Sequence, residues 1–470
     1  MTRPNSVTTN YSYDNQSRLL SVLHQLAGST IDGAIYTVDA AGDRTSKADQ
    51  YAGVTSNYAY DALYELTGMT QGANTTESYT YDPVGNRLSS LGVSPYSNNT
   101  SNELTATPSA SYTYDNNGNE TSNTNSAGTT NYTWDFENRL TSVVLPGSNG
   151  TDTFKYDPFG RRIQKVFTQG STTTTTNYVY DGYNSAEELD QNGNLLARYA
   201  ETESVDEPLA ESRSGTSSYY EQDGLGSVTS LGTSAGALAN TYTYDSFGKL
   251  VASTGTLANA FQYTGRELDS ENGLYFYRAR YYDSTVRRFL GEDPVKFRAG
   301  MNFYRYVLNS APNFSDPTGQ FPPGLHGNDT YRMAVDVFGP SCESQARTVA
   351  VADVSVDSVA GLFNPFGSAW NYGGPHFPKP GQAEAGINNA ISACSQSGLG
   401  VALHTLQDGY AHPKGRLGPF IHMVLGPLPD YPRGSAPLAA LAATRAALQA
   451  FKDKCLPCCK GGSTTQLVAQ

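Results

Sequence analysis

The sequence has no cysteine before Cys342, only two tryptophans and five methionines, and only 16% charged residues. Nothing upstream of Cys342 can therefore rest on a disulfide or a thiolate metal site. No charged-then-apolar leader opens the chain, and no stretch approaches the roughly 18 apolar residues of a membrane span. Basic residues are scarce where the chain is most repetitive: residues 1–320 hold 21 basic against 35 acidic side chains, a net charge of −14. That balance argues against a nucleic-acid-binding surface on this part. Residues 321–470 differ, with 10 basic against 9 acidic, all five cysteines and five of the six histidines. The odd cysteine count leaves the redox compartment open. At 470 residues the chain is also too long for one ordinary core, since domains run about 100–200 residues.

Tyrosine and glycine are plentiful, at 33 and 46. So many aromatics exclude plain disorder, and short strands joined by Gly/Asn/Asp turns fit the mixture better than helices. A repeat emerges at once. Its unit is aromatic-x-aromatic-Asp, then a turn ending in Gly/Asn-x-Arg/Lys-Leu, as in Tyr79-Thr-Tyr81-Asp82-Pro-Val-Gly85-Asn86-Arg87-Leu88 and Tyr132-Thr-Trp134-Asp135-Phe-Glu-Asn138-Arg139-Leu140. Further units centre on Asp14, Asp39, Asp61, Asp115, Asp157, Asp181 and Asp245, and most steps are 20–25 residues, one hairpin plus its connection. Aromatics two apart share a strand face, while Asp and Gly supply the turn. One hairpin cannot bury such a face alone but stacked neighbours can, so a quasi-one-dimensional array is expected. An unrelated β-sandwich would not repeat nine times.

These residues resemble the rearrangement-hotspot (RHS) and YD-repeat family, and a second signature extends the resemblance. It reads Phe261-Gln-Tyr-Thr-Gly-Arg-Glu-Leu-Asp269, Gly273-Leu-Tyr-Phe-Tyr277-Arg278-Ala-Arg280-Tyr-Tyr-Asp283, Arg288-Phe-Leu-Gly-Glu-Asp293-Pro294, Asn302-Phe-Tyr304-Arg-Tyr306 and Asp316-Pro317-Thr-Gly319. This looks like the RHS-associated core. The resemblance implies a β-rich spiral shell of YD repeats over 1–250 and a core over 251–320 that plugs one end. It implies that the core cuts the chain just after Asp-Pro-x-Gly, with Asp293 and Asp316 as the self-cleaving aspartates and the bond near Gln320-Phe321. Two close carboxylates cannot both ionise, so one would serve as acid while the other polarises water or the bond. The family usually has Leu where this chain has Gln320, and both Asp-Pro pairs also read as simple turns. The chain begins inside the repeat pattern, and its first 320 residues are expected to be too few to enclose a folded 150-residue cargo.

Beyond Gly319 a mainly α-helical domain over 321–460 is expected, followed by a disordered tail over 461–470. Residues 383–412 and 435–455 have helical composition and 3–4 spacing of apolar positions, with Ser435 as N-cap. His404, Asp408 and His412 fall at i, i+4 and i+8, so all three project from one helical face before Pro413. Two imidazoles and a carboxylate suit zinc, although a solvated polar stripe would look the same. With His376-Phe377 and Asp357 they resemble, in order, the α-helical zinc-dependent phospholipase C and single-strand-nuclease superfamily. The gap from Asp408 to His412 is shorter than in its well-known members, and no late His-x3-Glu is evident. The resemblance implies one to three zinc ions, a reduced one- or two-metal site being favoured, with Asp408 bridging metals or orienting the nucleophile. Asp336, Asp353, His326 and His422 are weaker candidates, as is the Cys455-Leu-Pro-Cys458-Cys459 cluster.

Together these readings predict a secreted or cell-surface-delivered polymorphic toxin, used against competitors or hosts, whose shell releases a zinc-dependent phosphodiester hydrolase by autoproteolysis. Its partners would be secretion machinery, a cognate immunity protein and a phosphodiester substrate, with phospholipid preferred over nucleic acid on the near-neutral charge of 321–470. The alternative is a structural or adhesion YD-repeat protein with a non-catalytic C-terminal binding module.

Overall fold

The computed structural model describes residues 1–320 apart from 16, 17, 41, 203 and 297–299, together with 382–393, 399, 447–451 and 453. The chain divides into two compact units, Met1–Phe321 and Pro322–Gln470.

A single turn geometry builds the first unit. The amide of Asp82 donates to the carbonyl of Asn86 at 2.9 Å. Its carboxylate oxygen Oδ1 accepts the amides of Val84 and Asn86 at 3.0 and 2.8 Å. Between them Gly85 takes φ 79°, a left-handed value glycine adopts without a Cβ penalty. The same main-chain bond, from Asp to the carbonyl four residues on, recurs at Asp14, Asp39, Asp61, Asp115, Asp135, Asp157 and Asp245. Asp181 departs from the expected pattern: it pairs directly with Asn184 across a two-residue hairpin. Conversely, Asn99, Asp190, Asp223 and Thr233 close the repeat turn although no aromatic pair precedes them.

Strand alternation after most of these turns points the fifth residue beyond the Asp inward, Leu195 after Asp190 being an exposed exception. That position holds Leu66, Arg87, Leu104, Glu120, Leu140, Arg162 and Val228, all buried. Twenty-four consecutive strands follow one another in simple up-and-down order. They form an eight-stranded sheet from Val7–Tyr13 to Arg87–Ser90 and a sixteen-stranded sheet from Ser97–Asn98 to Leu250–Thr254. Every described pairing is antiparallel, as in Tyr79↔Ser90 and Tyr132↔Val143. The array winds back upon itself. Arg3 pairs with Glu221, Lys47 Nζ lies 2.7 Å from Asp223 Oδ2, and Asp32 accepts the hydroxyl of Thr229 at 2.7 Å. These partners are 176 to 218 residues apart, which sets the chain length of one circuit.

The aromatic face is covered by the segment expected from the sequence to be a plug, as well as by neighbouring repeats. A third sheet of four short strands, Glu267–Asp269 to Arg288–Phe289, packs against the wall. Tyr275, Tyr277, Tyr282, Phe289 and Tyr306 share one core with Leu66, Tyr79 and Phe247 of the wall. Leu274, Phe276, Tyr281 and Leu290 share another with Tyr132, Leu140, Val143 and Phe154. Edge-to-face contacts such as Tyr79 on Phe247, 5.3 Å between centroids, recur through this interior.

In the second unit a helix spans Gln382–Ala393, and 399, 447–451 and 453 are helical. The remaining parts of the expected helices lie outside the described residues, and so does the expectation of a mainly α-helical domain there.

Candidate self-processing site

Arg280 opens the strand Arg280–Asp283 and is nine-tenths buried or more, at 4% exposure. Its guanidinium lies 3.5 Å over the ring of Phe289, which fixes its plane. Each nitrogen is then committed. Nε donates to the carbonyl of Gly319 at 2.5 Å and Nη1 to that of Phe303 at 3.0 Å. Nη2 donates to Asp316 Oδ2 at 3.1 Å and stands 2.7 Å from Asp293 Oδ2. The Asp293 contact is an ion pair and not an aligned hydrogen bond, because no donor is directed at that oxygen within hydrogen-bond angles. One buried cation thus joins the two aspartates expected from the sequence, which are 1% and 0% exposed.

The Asp-Pro-Thr-Gly segment is clamped from both sides. The amide of Gln320 donates to Asp316 Oδ1 at 3.0 Å, closing a short loop. The carbonyl and amide of the Gly319–Gln320 peptide are therefore gripped by Arg280 and Asp316 respectively. Gly319 takes φ 69°, and a Cβ there would lie 2.1 Å from the carbonyl oxygen of Tyr277, so only glycine fits. Arg278 donates to the Pro317 carbonyl and is anchored in turn by Asp206, 2.7 Å from its Nη2. Asp206 also pairs with the buried Arg266.

Burial pushes the Asp293 carboxyl up to about 6 despite the opposing pull of Arg280, and the neighbouring Asp316 adds to the rise. Burial likewise draws Arg280 below the usual guanidinium range, against the pull of both carboxylates. One cation thus faces two acids, and Asp293 is the one whose carboxyl is raised towards neutrality.

Sequence reasoning named both aspartates but gave Arg280 no role. The available signal was the crowding of five arginines between 266 and 288 in an otherwise acid-rich stretch. Gln320 is described, whereas Phe321 lies outside the described residues. So do Asp357, His376, His404, Asp408 and His412, the weaker candidates Asp336, Asp353, His326 and His422, and the cysteines. Among the described residues no group of three or more His, Cys, Asp or Glu side chains is arranged to hold a metal.

Residues 45–310 match the family described as the teneurin YD-shell, more than half the chain. The chain belongs to the teneurin YD-shell family. Curated relatives of this YD-shell chain include a tRNA3(Ser)-specific nuclease WapA of Bacillus spizizenii, 34% identical over 279 residues, covering 56% of this chain and 12% of that protein. Another is the double-stranded DNA deaminase toxin A of Burkholderia cenocepacia, 25% identical over 464 residues, 90% of this chain and 29% of that one. A probable deoxyribonuclease RhsB of Dickeya dadantii is 31% identical over 201 residues, 40% of this chain and 13% of that one. The YD-shell chain thus spans a minor part of these relatives' lengths. Among solved structures, that of TcdB2-TccC3-Cdc42 superposes with a TM-score of 0.58 at 20% identity, covering 68% of this chain and 18% of the other. At that identity the likeness concerns the fold.

Proposed function

We propose that this chain carries the shell-and-plug portion of a toxin, which severs itself near Gln320-Phe321 to free a C-terminal effector acting on nucleic acid. The observation that carries the proposal is the Asp293–Arg280–Asp316 cluster with the Gly319–Gln320 peptide locked in it. That peptide is held at both its polar ends, and the Gln320-Phe321 bond follows it directly in the sequence.

Hydrolysis needs a base to take a proton from water and an acid to give one to the leaving nitrogen. Two carboxyls on one guanidinium, one of them near 6, supply both forms together. Water adds to the Gln320 carbonyl carbon and passes a proton to the ionised carboxylate. The C–N bond breaks, and the amine of Phe321 takes its proton from the protonated acid. Arg280 holds the pair and the preceding carbonyl in register.

For the effector, nucleic acid is a better reading than the phospholipid suggested by charge balance, because the named relatives act on tRNA and DNA. Zinc on His404, Asp408 and His412, with His376 and Asp357 as further donors, suits a phosphodiester hydrolase, since bound zinc acidifies water and offsets charge on phosphate oxygens. Those residues would hold and orient the ion. Delivery machinery and an immunity protein belong to the same reading.

The test is expression of the full chain with and without Asp293→Asn and Asp316→Asn. A released fragment of about 150 residues beginning at Phe321, absent from both variants, is expected. Intact wild-type chain, or cutting that survives both substitutions, defeats the cleavage. Absence of growth arrest and of nucleic-acid damage in expressing cells defeats the effector reading and favours the adhesion alternative.

A further inference from the structure

The inward position five residues after each turn aspartate is apolar in most repeats, but arginine occupies it three times. Arg162 meets two plug carboxylates, Asp269 Oδ2 at 2.5 Å and Glu267 Oε2 at 2.7 Å. Arg44 donates to the carbonyls of Pro312 and Gly224 at 2.8 and 2.9 Å. Arg87 has neither kind of partner. It is 9% exposed, and none of its three nitrogens meets an acceptor among the described residues. Its guanidinium lies between the rings of Tyr79 and Phe247, 4.4 Å from each centroid. The Tyr81 phenol donates to the Leu66 carbonyl at 2.8 Å, and its oxygen is, among the described residues, the one neutral acceptor near enough to interact with Arg87, which leaves the charge itself without a carboxylate. Asp82 cannot serve, because Asn86 already donates to its Oδ2 at 2.9 Å, the place arginine fills at Arg18, Arg139 and Arg161.

Arg87 borders a cavity of about 20 Å3 whose lining includes Arg287, Arg288 and Arg305 but no aspartate or glutamate. Arg287 is neutralised by Asp245 at 2.7 Å and Arg305 by Glu65 at 3.3 Å. Arg288 is not: its terminal nitrogens go to Asn98 Oδ1 and the Asn102 carbonyl, at 3.2 and 2.6 Å. The Nε atoms of both Arg288 and Arg305 also lack an acceptor among the described residues. Glu120 interacts with Arg288 from outside the cavity lining, and burial lifts its carboxyl above the ordinary carboxylate range. The Arg87 guanidinium is thus left without a carboxylate among the described residues, beside one small cavity lined by further arginines, and uncompensated buried charge is costly.

We propose that this cavity binds a single monatomic anion of the chloride class, clasping the wall turn after Asp82 to the plug at Arg288 and Arg305. About 10–15 Å3 admits one water-sized sphere, so this volume accepts a halide and rejects phosphate, sulfate or a carboxylate ligand. Binding to the folded chain alone would raise its stability with the logarithm of halide concentration once that exceeds the dissociation constant.

The experiment is thermal unfolding of the full chain at constant ionic strength as gluconate, too large for the cavity, is replaced by chloride or bromide. A rise of roughly 1–3 °C that grows with the logarithm of halide concentration is expected. Arg87→Leu, which installs the usual residue of the repeat, should abolish it. A wild-type chain indifferent to the exchange, or an equal response in Arg87→Leu, overturns the proposal. Should the variant fail to fold, bromide-soaked crystals of the wild-type chain decide through anomalous scattering. A peak between Arg87 and Arg288 supports the site, and density for water alone refutes it.

Discussion

The hydroxyl of Tyr156 donates to the main-chain carbonyl of Leu140 at 2.6 Å, tying the end of one strand to the beginning of the previous repeat's return strand. The bond recurs from Tyr81 to Leu66, Tyr180 to Arg162 and Tyr244 to Val228, and from the Trp134 indole to Glu120, at 2.7 to 3.0 Å. The tyrosine–aspartate pair therefore does two separable things: aspartate closes its own turn and tyrosine fastens the turn before. Tyr156→Phe keeps the ring and loses the tie, and should cost about 1 kcal/mol, read as a lower urea midpoint at unchanged slope. Tyr13→Phe, at a side chain 57% exposed, should stay within about 0.5 kcal/mol of wild type. Equal costs at the two positions would refute the tie.

Arg162 illustrates the opposite case, a polar residue that the plug requires. Burial raises Asp269, yet Arg162 and Lys165 together hold it below the usual carboxylate range. Arg162→Leu restores the residue typical of the repeat but takes the guanidinium from Glu267 and leaves Asp269 with Lys165 alone, and breaking a buried pair from one side costs about 3–5 kcal/mol. Adding Glu267→Gln should recover part of the loss. Chemical denaturation of the single and double variants measures the coupling, and strict additivity would show that the two side chains do not act through each other.

How far the sequence foretold this architecture can be seen residue by residue. Aspartate turns announced by an aromatic pair were legible because strand alternation and turn chemistry are local. Asn99, Asp190, Asp223 and Thr233 were missed because they form the same turn without the aromatics. Asp181 misled for the reverse reason, having the aromatics but folding as a two-residue hairpin. Asp293 and Asp316 were singled out by their motif, but their juxtaposition depends on Arg280, whose burial between strand and loop is a tertiary fact. Nor could sequence show that plug residues complete the wall's core, since Tyr79 and Phe247 meet Tyr275 only after the chain has wound round once.

Several wall carboxyls should make the first unit less stable as pH rises. Burial first, then like-charged neighbours, lifts Glu201 to about 8 and Asp152 to about 6, and burial lifts Glu211 to about 7. Folding therefore raises these values above the ordinary 4.5 or 3.8, so the folded state binds protons more tightly. Their contribution is fully present below the ordinary values and is lost as pH climbs through about 6 to 8. The unfolding midpoint should be higher at pH 5.5 than at pH 8.5, and Glu211→Gln should flatten the difference. A midpoint that rises over this window contradicts the assignment.

The effector reading carries its own measurement. Metal analysis of the purified full chain should find zinc, and His404→Ala should lower the content, as should Asp408→Ala. Zinc unchanged by either substitution would separate the metal from the His404/Asp408/His412 face and remove the basis for a metallohydrolase.

Gly319 offers the sharpest trial of the self-processing cluster, because it can be disturbed without touching either aspartate. An added methyl would lie 2.1 Å from the Tyr277 carbonyl and 3.0 Å from the Arg280 amide nitrogen, and φ 69° disfavours any side chain. The segment must lift, and lifting it parts the Gly319 carbonyl from Arg280 and the Gln320 amide from Asp316. Gly319→Ala should thus slow fragment release by tenfold or more, since a misplacement of about 1 Å can cost about a hundredfold in rate. Gly273→Ala supplies the control: its φ is 77°, but nothing lies within 4 Å of the new methyl, so only backbone strain is added. That chain should cut at close to the wild-type rate. If Gly319→Ala cuts as fast as Gly273→Ala, the seating of the Asp-Pro-Thr-Gly segment on Arg280 has no part in the reaction.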